Sequence, residues 1–216
     1  MSLVIFSCSP RPEETSNTAA IAKTFKDGYG EDAEIYYLHK RREWDHYRKI
    51  FEENNSFIFA MPLFVECIPG LLMEFLESLT AKSNGEATTK IGFILQGGFE
   101  EACQLRTCEK YLEKLPSYLG CEYTGTLIKG GMFALSIMSE KSKKKKLRPF
   151  YDMGAAYARD GAFNKAAVSR FAAPEKYSKT FCLLIKLLSP LNKIAWGFLS
   201  RKFGANGKLD ARPYEI

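Results

Sequence analysis

Leu3-Val4-Ile5-Phe6-Ser7-Cys8-Ser9-Pro10-Arg11-Pro12-Glu13-Glu14-Thr15-Ser16-Asn17-Thr18 is the stretch on which the fold turns. Its first four residues form a continuous apolar run, the pattern of a strand buried on both faces. From residue 19 to 25, apolar side chains recur at helical spacing, and Thr15 or Ser16 is placed to cap that helix. A polar loop joins the two. The start of a helix leaves amide hydrogens free and carries the positive end of the helix dipole. The hydroxyls of Ser9, Ser16 and Thr18, the amide of Asn17 and the cation of Arg11 add donors around that point. Such a set suits a phosphate. The loop matches neither GxxxxGK[ST] nor GxGxxG, so taken alone it also reads as an ordinary capped turn.

Further along, residues 34–38 read as a second strand, 39–42 as a basic turn and 44–51 as a helix. Residues 56–61 are apolar enough for a central strand, which Pro62 ends. Pro69 suits the first turn of an amphipathic helix over 71–79. A polar loop over 82–89 leads to a fourth strand at 91–95 and the loop Gln96-Gly97-Gly98-Phe99. A long helix over 101–119 and a fifth strand at 124–128, ending at Gly130-Gly131, complete the pattern. Strands alternating with helices predict a parallel sheet covered on both faces. Ligands in such sheets bind beyond the carboxyl ends of the strands, and the loops after strands one, three and four leave from there.

A chain of 216 residues with 46% hydrophobic and 26% charged residues can build one well-buried core without disulfide staples. Its six cysteines include no CxxC pair, which points to free thiols in a reducing compartment and to no metal site. No signal-peptide pattern opens the sequence, so a cytoplasmic location is expected. Neither histidine falls on a loop at the expected site, and no catalytic side chain is assigned.

Three segments together resemble the flavodoxin-like NAD(P)H-dependent FMN reductases and quinone reductases. They are Ser9-Pro10-Arg11 with Ser16-Asn17-Thr18, then Pro62-Leu63-Phe64-Val65-Glu66-Cys67-Ile68-Pro69-Gly70-Leu71, then Gln96-Gly97-Gly98-Phe99-Glu100. The resemblance spans roughly the first 130 residues. Gln96 departs from it by being larger than the small polar residue common there. The resemblance implies an α/β flavodoxin-like three-layer sandwich with a five-stranded parallel sheet in the order 2-1-3-4-5. It implies bound FMN, with its phosphate on Ser9, Arg11, Ser16, Asn17 and Thr18. Its ring would lie between Pro62, Leu63, Phe64 and Val65 on one loop and Gln96, Gly97, Gly98 and Phe99 on the other. A flat ring needs backbone amides and apolar flanks, and glycines admit close backbone approach. NADH or NADPH would be the co-substrate, and a quinone, nitro or azo compound or free flavin the acceptor. A homodimer is expected. The alternative on the same fold is a flavodoxin-type electron carrier without nicotinamide turnover. The net charge of +6 argues against it, since such carriers are usually acidic. A receiver-type signalling module lacks its acidic cluster, because Ser7-Cys8-Ser9 stands in that place.

Two basic or apolar stretches lie beyond the resemblance. The run Lys141, Lys143, Lys144, Lys145, Lys146 and Arg148 is expected to be a solvated helix or loop. It could also attract cofactor phosphates or acidic lipid headgroups, whereas nucleic acid has no supporting pattern. The domain is expected over 1–173, with an apolar helical extension over 174–216. Within it, residues 181–199 are too broken by Lys186, Pro190 and Lys193 to span a membrane. Packing on the domain or a partner subunit is favoured, with a flavin lid or a membrane-surface contact as the other readings.

Overall fold

The computed structural model describes residues 2–82, 88–202 and 204. Part of the expected polar loop, 83–87, and residues 205–216 of the expected extension lie outside the described residues. Strand β1 (Leu3–Ser7) is buried along its whole length. Alternation sends Val4 and Phe6 to one face of the sheet and Leu3 and Ile5 to the other, and both sets are core residues. Parallel pairing on both edges makes this strand central: Leu3 aligns with Ala33 of β2 (Ala33–Tyr37), and Val4 with Phe57 of β3 (Ser56–Pro62). With β4 (Lys90–Gln96) and β5 (Glu122–Lys129), the sheet is parallel throughout in the order β2-β1-β3-β4-β5, as expected.

The helices of this part are α1 (Asn17–Tyr29), α2 (Trp44–Glu53), α3 (Gly70–Glu77), α4 (Arg106–Tyr118), α5 (Glu140–Asp160) and α6 (Lys165–Ala172). Phe51, Phe75 and Leu112 of α2, α3 and α4 join Phe6, Phe59 and Phe93 in one core layer. Phe25, Phe150 and Phe171 of α1, α5 and α6 join Ile5, Ile58 and Ile94 in the other. Helices α1 and α5 cross closely. A Cβ at Gly28 would overlap the Tyr151 carbonyl oxygen, and one at Gly154 the Phe25 carbonyl oxygen. This crossing fixes the C-terminal half of α1 on α5.

Two expectations shift. The helix expected over 101–119 begins at Arg106, after a tight 3₁₀ turn at Ala102–Leu105. The amides of Ala102 and Cys103 donate to the carbonyls of Pro174 and Glu175, at 2.9 and 3.1 Å. The helix expected over 71–79 spans Gly70–Glu77, with Pro69 just before it, whose carbonyl accepts from Leu72 and Met73 at 2.8 and 3.1 Å. The lysine run forms the first turns of α5, where Lys143 pairs with Glu140 at 2.8 Å and Lys146 with Glu100 at 3.6 Å.

The chain divides into two compact units, Met1–Lys176 and Tyr177–Ile216. The described part of the second consists of α7 (Lys179–Leu187) and α8 (Ser189–Lys202). The Ser178 hydroxyl caps α7 by accepting from the Phe181 amide at 3.2 Å. Among the described residues, no helix is long and apolar enough to cross a membrane.

Candidate functional site

At the carboxyl ends of the strands, a cavity of about 290 Å³ opens between the loops after β1, β3, β4 and β5. Its wall is Ser9, Arg11, Asn17, Thr18, Pro62, Leu63, Phe64, Gln96, Gly98 and Phe133. Nine of the thirteen residues expected from sequence are therefore brought together. The other four have different places. Ser16 caps α1, accepting from the Ala19 amide at 3.2 Å. Val65 is fully exposed and Phe99 is 76% exposed, both outside the wall. Gly97 is buried: its amide donates to the Lys129 carbonyl at 3.0 Å, and its side-chain position faces Leu105 of the core.

The two ends of the cavity differ in chemistry. At one end, α1 begins at Asn17, so the amides of Asn17 and Thr18 have no helical carbonyl to reach. Ser9, Thr18 and the guanidinium of Arg11 surround that point. The Ser9 hydroxyl also accepts from the Arg11 amide at 3.2 Å, which sets the curvature of the loop. Glu13, further along, hydrogen-bonds Tyr37, which holds its carboxyl below the ordinary value and ties the loop to the end of β2. At the other end, Pro62, Leu63, Phe64 and Phe133 present apolar surface, and the two phenylalanines stand about half-exposed at the mouth. The wall contains no carboxylate, and Arg11 is its one formal charge.

The loop after β3 is built as a tight turn. Phe64 and Cys67 each donate an amide hydrogen to the other's carbonyl at 3.0 Å. The two central residues, Val65 and Glu66, take positive φ values of 47° and 62°. A β-branched residue in that region is strained, and strain of this kind collects at binding sites. The turn also commits the Phe64 amide, so it is not free for a ligand, while Leu63 donates to the Gln96 carbonyl at 2.7 Å. The loop after β4 is held by that after β5. Gly131 donates to Phe99 at 2.8 Å and Met132 to Gly97 at 2.9 Å. A Cβ at Gly130 would overlap the Phe99 and Glu100 carbonyls, and Gly131 lies at φ 70°.

Phe133 is the wall residue missed in sequence. It lies in the 3₁₀ turn Met132–Ile137, and Asn17 reaches that turn by donating its side-chain amide to the Met132 carbonyl at 2.9 Å. The double glycine at the end of β5 was the available signal. Cys8, beside the cavity in sequence, is buried, and burial pushes its thiol well above the ordinary range. It stays protonated and acts as a small apolar side chain. Among the described residues, no cluster of histidine, cysteine and carboxylate could hold a metal ion.

This sheet order, with its site at the carboxyl ends of β1, β3 and β4, defines a flavodoxin-like fold. Solved structures of reductases share it. An NADPH-quinone reductase from P. pentosaceus is 14% identical over 72% of this chain and 98% of its own, with a TM-score of 0.56. An NAD(P)H:quinone oxidoreductase from Methanothermobacter marburgensis is 12% identical, with 76% and 97% covered and a TM-score of 0.56. An FMN-dependent NADH-azoreductase from Bacillus anthracis, solved in complex with FMN, is 13% identical, with 76% and 100% covered and a TM-score of 0.53. At these identities the likeness establishes the fold. No family model and no curated protein sequence matches the chain.

Proposed function

We propose that the chain is an FMN-dependent oxidoreductase that takes a hydride from NADH or NADPH and reduces a second small acceptor. One observation carries this reading: a cavity whose single formal charge is the Arg11 cation at a helix start, and whose opposite end is apolar and aromatic. That polarity fits a phosphate at one end and a flat ring at the other. The donor set is all hydroxyl, amide and guanidinium, with no acid to repel a dianion. The flavin-bound azoreductase of the same fold supports the choice of FMN.

Bound there, FMN would supply the hydride acceptance and onward electron transfer. The chain's own residues would do the rest. Arg11, Ser9, Thr18 and the first amides of α1 would hold the phosphate. Pro62 and Leu63 would wall the ring on one side and Gly98 would admit it on the other, with Phe64 and Phe133 at the mouth excluding water. No side chain in the wall is placed to act as a general acid, so acceptor choice would rest on the shape of the mouth. The quinone, nitro, azo or flavin acceptors expected from the resemblance, the homodimer and the single domain with its helical extension are part of this proposal. The test is to purify the protein, add FMN and record the visible spectrum, then add NADH or NADPH without oxygen. Yellow protein that bleaches supports the reading. Protein that ignores FMN refutes it, and bound flavin that neither nicotinamide bleaches refutes the enzyme and leaves a carrier.

A further inference from the structure

The second unit carries an observation independent of the flavin reading. Helix α7 has no buried residue. Leu187, Ile194 and Phe198 are 71%, 71% and 73% exposed, and Leu183, Leu191 and Trp196 are also exposed. At about 100° per residue, Phe181, Leu183, Leu184, Ile185 and Leu187 spread over most of α7, while Lys179 and Lys186 share the remaining edge. On α8, Leu191, Ile194 and Phe198 lie on one face, with Arg201 and Lys202 in its last turn.

The charges decide what such a surface suits. Residues 176–209 contain no Asp or Glu but seven lysines and arginines. A symmetric contact with a second copy sets each patch against itself, bringing like charges together. The helices have 9 and 14 residues, hence lengths of about 14 and 21 Å, short of a bilayer core. Short helices whose apolar surface is rich in Trp, Phe and Leu and is bordered only by cations suit the interface of an anionic bilayer. Lysine and arginine stems reach from buried backbone to headgroups.

We infer that α7 and α8 form an interfacial anchor, with their apolar faces in the headgroup region of an anionic bilayer and Lys179, Lys186, Arg201 and Lys202 on its phosphates. The full chain should therefore sediment with vesicles of phosphatidylglycerol and phosphatidylcholine in equal parts. It should stay in the supernatant when the vesicles are phosphatidylcholine alone, and added salt should weaken the binding. Trp196 emission should shift to the blue on binding, whereas Trp44 is already buried and should contribute little. Reversing Lys179→Glu and Lys186→Glu together should lower partitioning at least about 30-fold. Ile194→Ser with Phe198→Ser should abolish it with the charges intact, and circular dichroism should show both variants folded. Binding to neither vesicle, or equally to both, would overturn the inference. So would a dimer that the Ile194→Ser and Phe198→Ser variant converts to monomer, since the apolar faces would then meet each other.

Discussion

Gly97 and Gly98 are adjacent, yet valine at the two positions should do opposite things. Neither glycine lies in the left-handed region, so space alone decides. A Cβ at Gly97 would lie 3.4 to 3.5 Å from three side-chain atoms of Leu105, which is fully buried. The two further methyl groups of valine would press into that leucine, and overpacking of this kind costs about 1–3 kcal/mol. For a chain of this size, the melting temperature should fall by roughly 2–12 °C. A Cβ at Gly98 meets only the Cβ of Phe133, at 3.8 Å, an ordinary contact. Valine there should leave the melting temperature within about 2 °C of the parent. It should instead fill the cavity wall and displace the ring from the backbone. Losing one backbone hydrogen bond and its close packing should weaken FMN at least about tenfold. Differential scanning calorimetry of the apoprotein and fluorescence titration with FMN separate the two effects. A Gly98→Val protein with parental FMN affinity would remove this loop from the ring, and a Gly97→Val protein of parental stability would refute the Leu105 contact as a constraint.

Replacing Arg11 with Ala should weaken FMN about ten- to a hundredfold, the worth of one charge-assisted contact, and equal affinities in titration would place the guanidinium off the phosphate. Val65→Asn should stabilise the protein, because asparagine tolerates the φ of 47° that valine resists; a rise of about 2–4 °C in melting temperature is expected, and an unchanged value would show that the turn is not strained. Arg106 hydrogen-bonds hold the Glu175 carboxyl below its ordinary value of 4.5, so the folded state binds that proton more weakly than the unfolded chain. The pair therefore stabilises above pH 4.5, and the contribution is lost as pH falls through the folded value. For an exposed pair it stays below about 1 kcal/mol. Glu175→Gln should flatten the acid-side fall in melting temperature, and an identical pH profile would show that the pair contributes nothing.

Much of the sheet was legible because its strands are apolar on both faces, a pattern that few elements besides a doubly covered strand produce. Leu3 to Phe6, residues 56–61 and residues 91–95 announced the central strands, and the observed elements extend these by the residues that the ladder pairs, such as Lys90 with Glu122. The phosphate end of the site was legible for a related reason: polar donors cluster where a buried strand meets a capped helix. Other features depend on distant residues. The amides of Ala102 and Cys103, ahead of α4, donate to carbonyls about seventy residues onward, at Pro174 and Glu175. Val65 and Glu66 carry none of the glycine or asparagine that marks a turn with positive φ. That Gly98 rather than Gly97 faces the cavity is a one-residue matter of where the strand's pleat ends, and composition does not encode it.

Gln96 shows how a departure from a family pattern can be structural. Its size lets the side-chain amide cross from the end of β4 to the Thr18 hydroxyl on α1, donating at 3.3 Å with both groups buried. A small polar residue at the same place would fall short. Asn17 makes the second crossing, from the same helix start to the Met132 carbonyl after β5. The proposed phosphate end is thus tied to the end of β4 and to the turn after β5, and the close approach at Gly28 and Gly154 fixes the far end of α1 on α5. Burial makes the Gln96–Thr18 bond costly to break without replacement. These ties order the cavity wall during folding rather than at binding, so the proposed flavin would be held tightly rather than loosely exchanged.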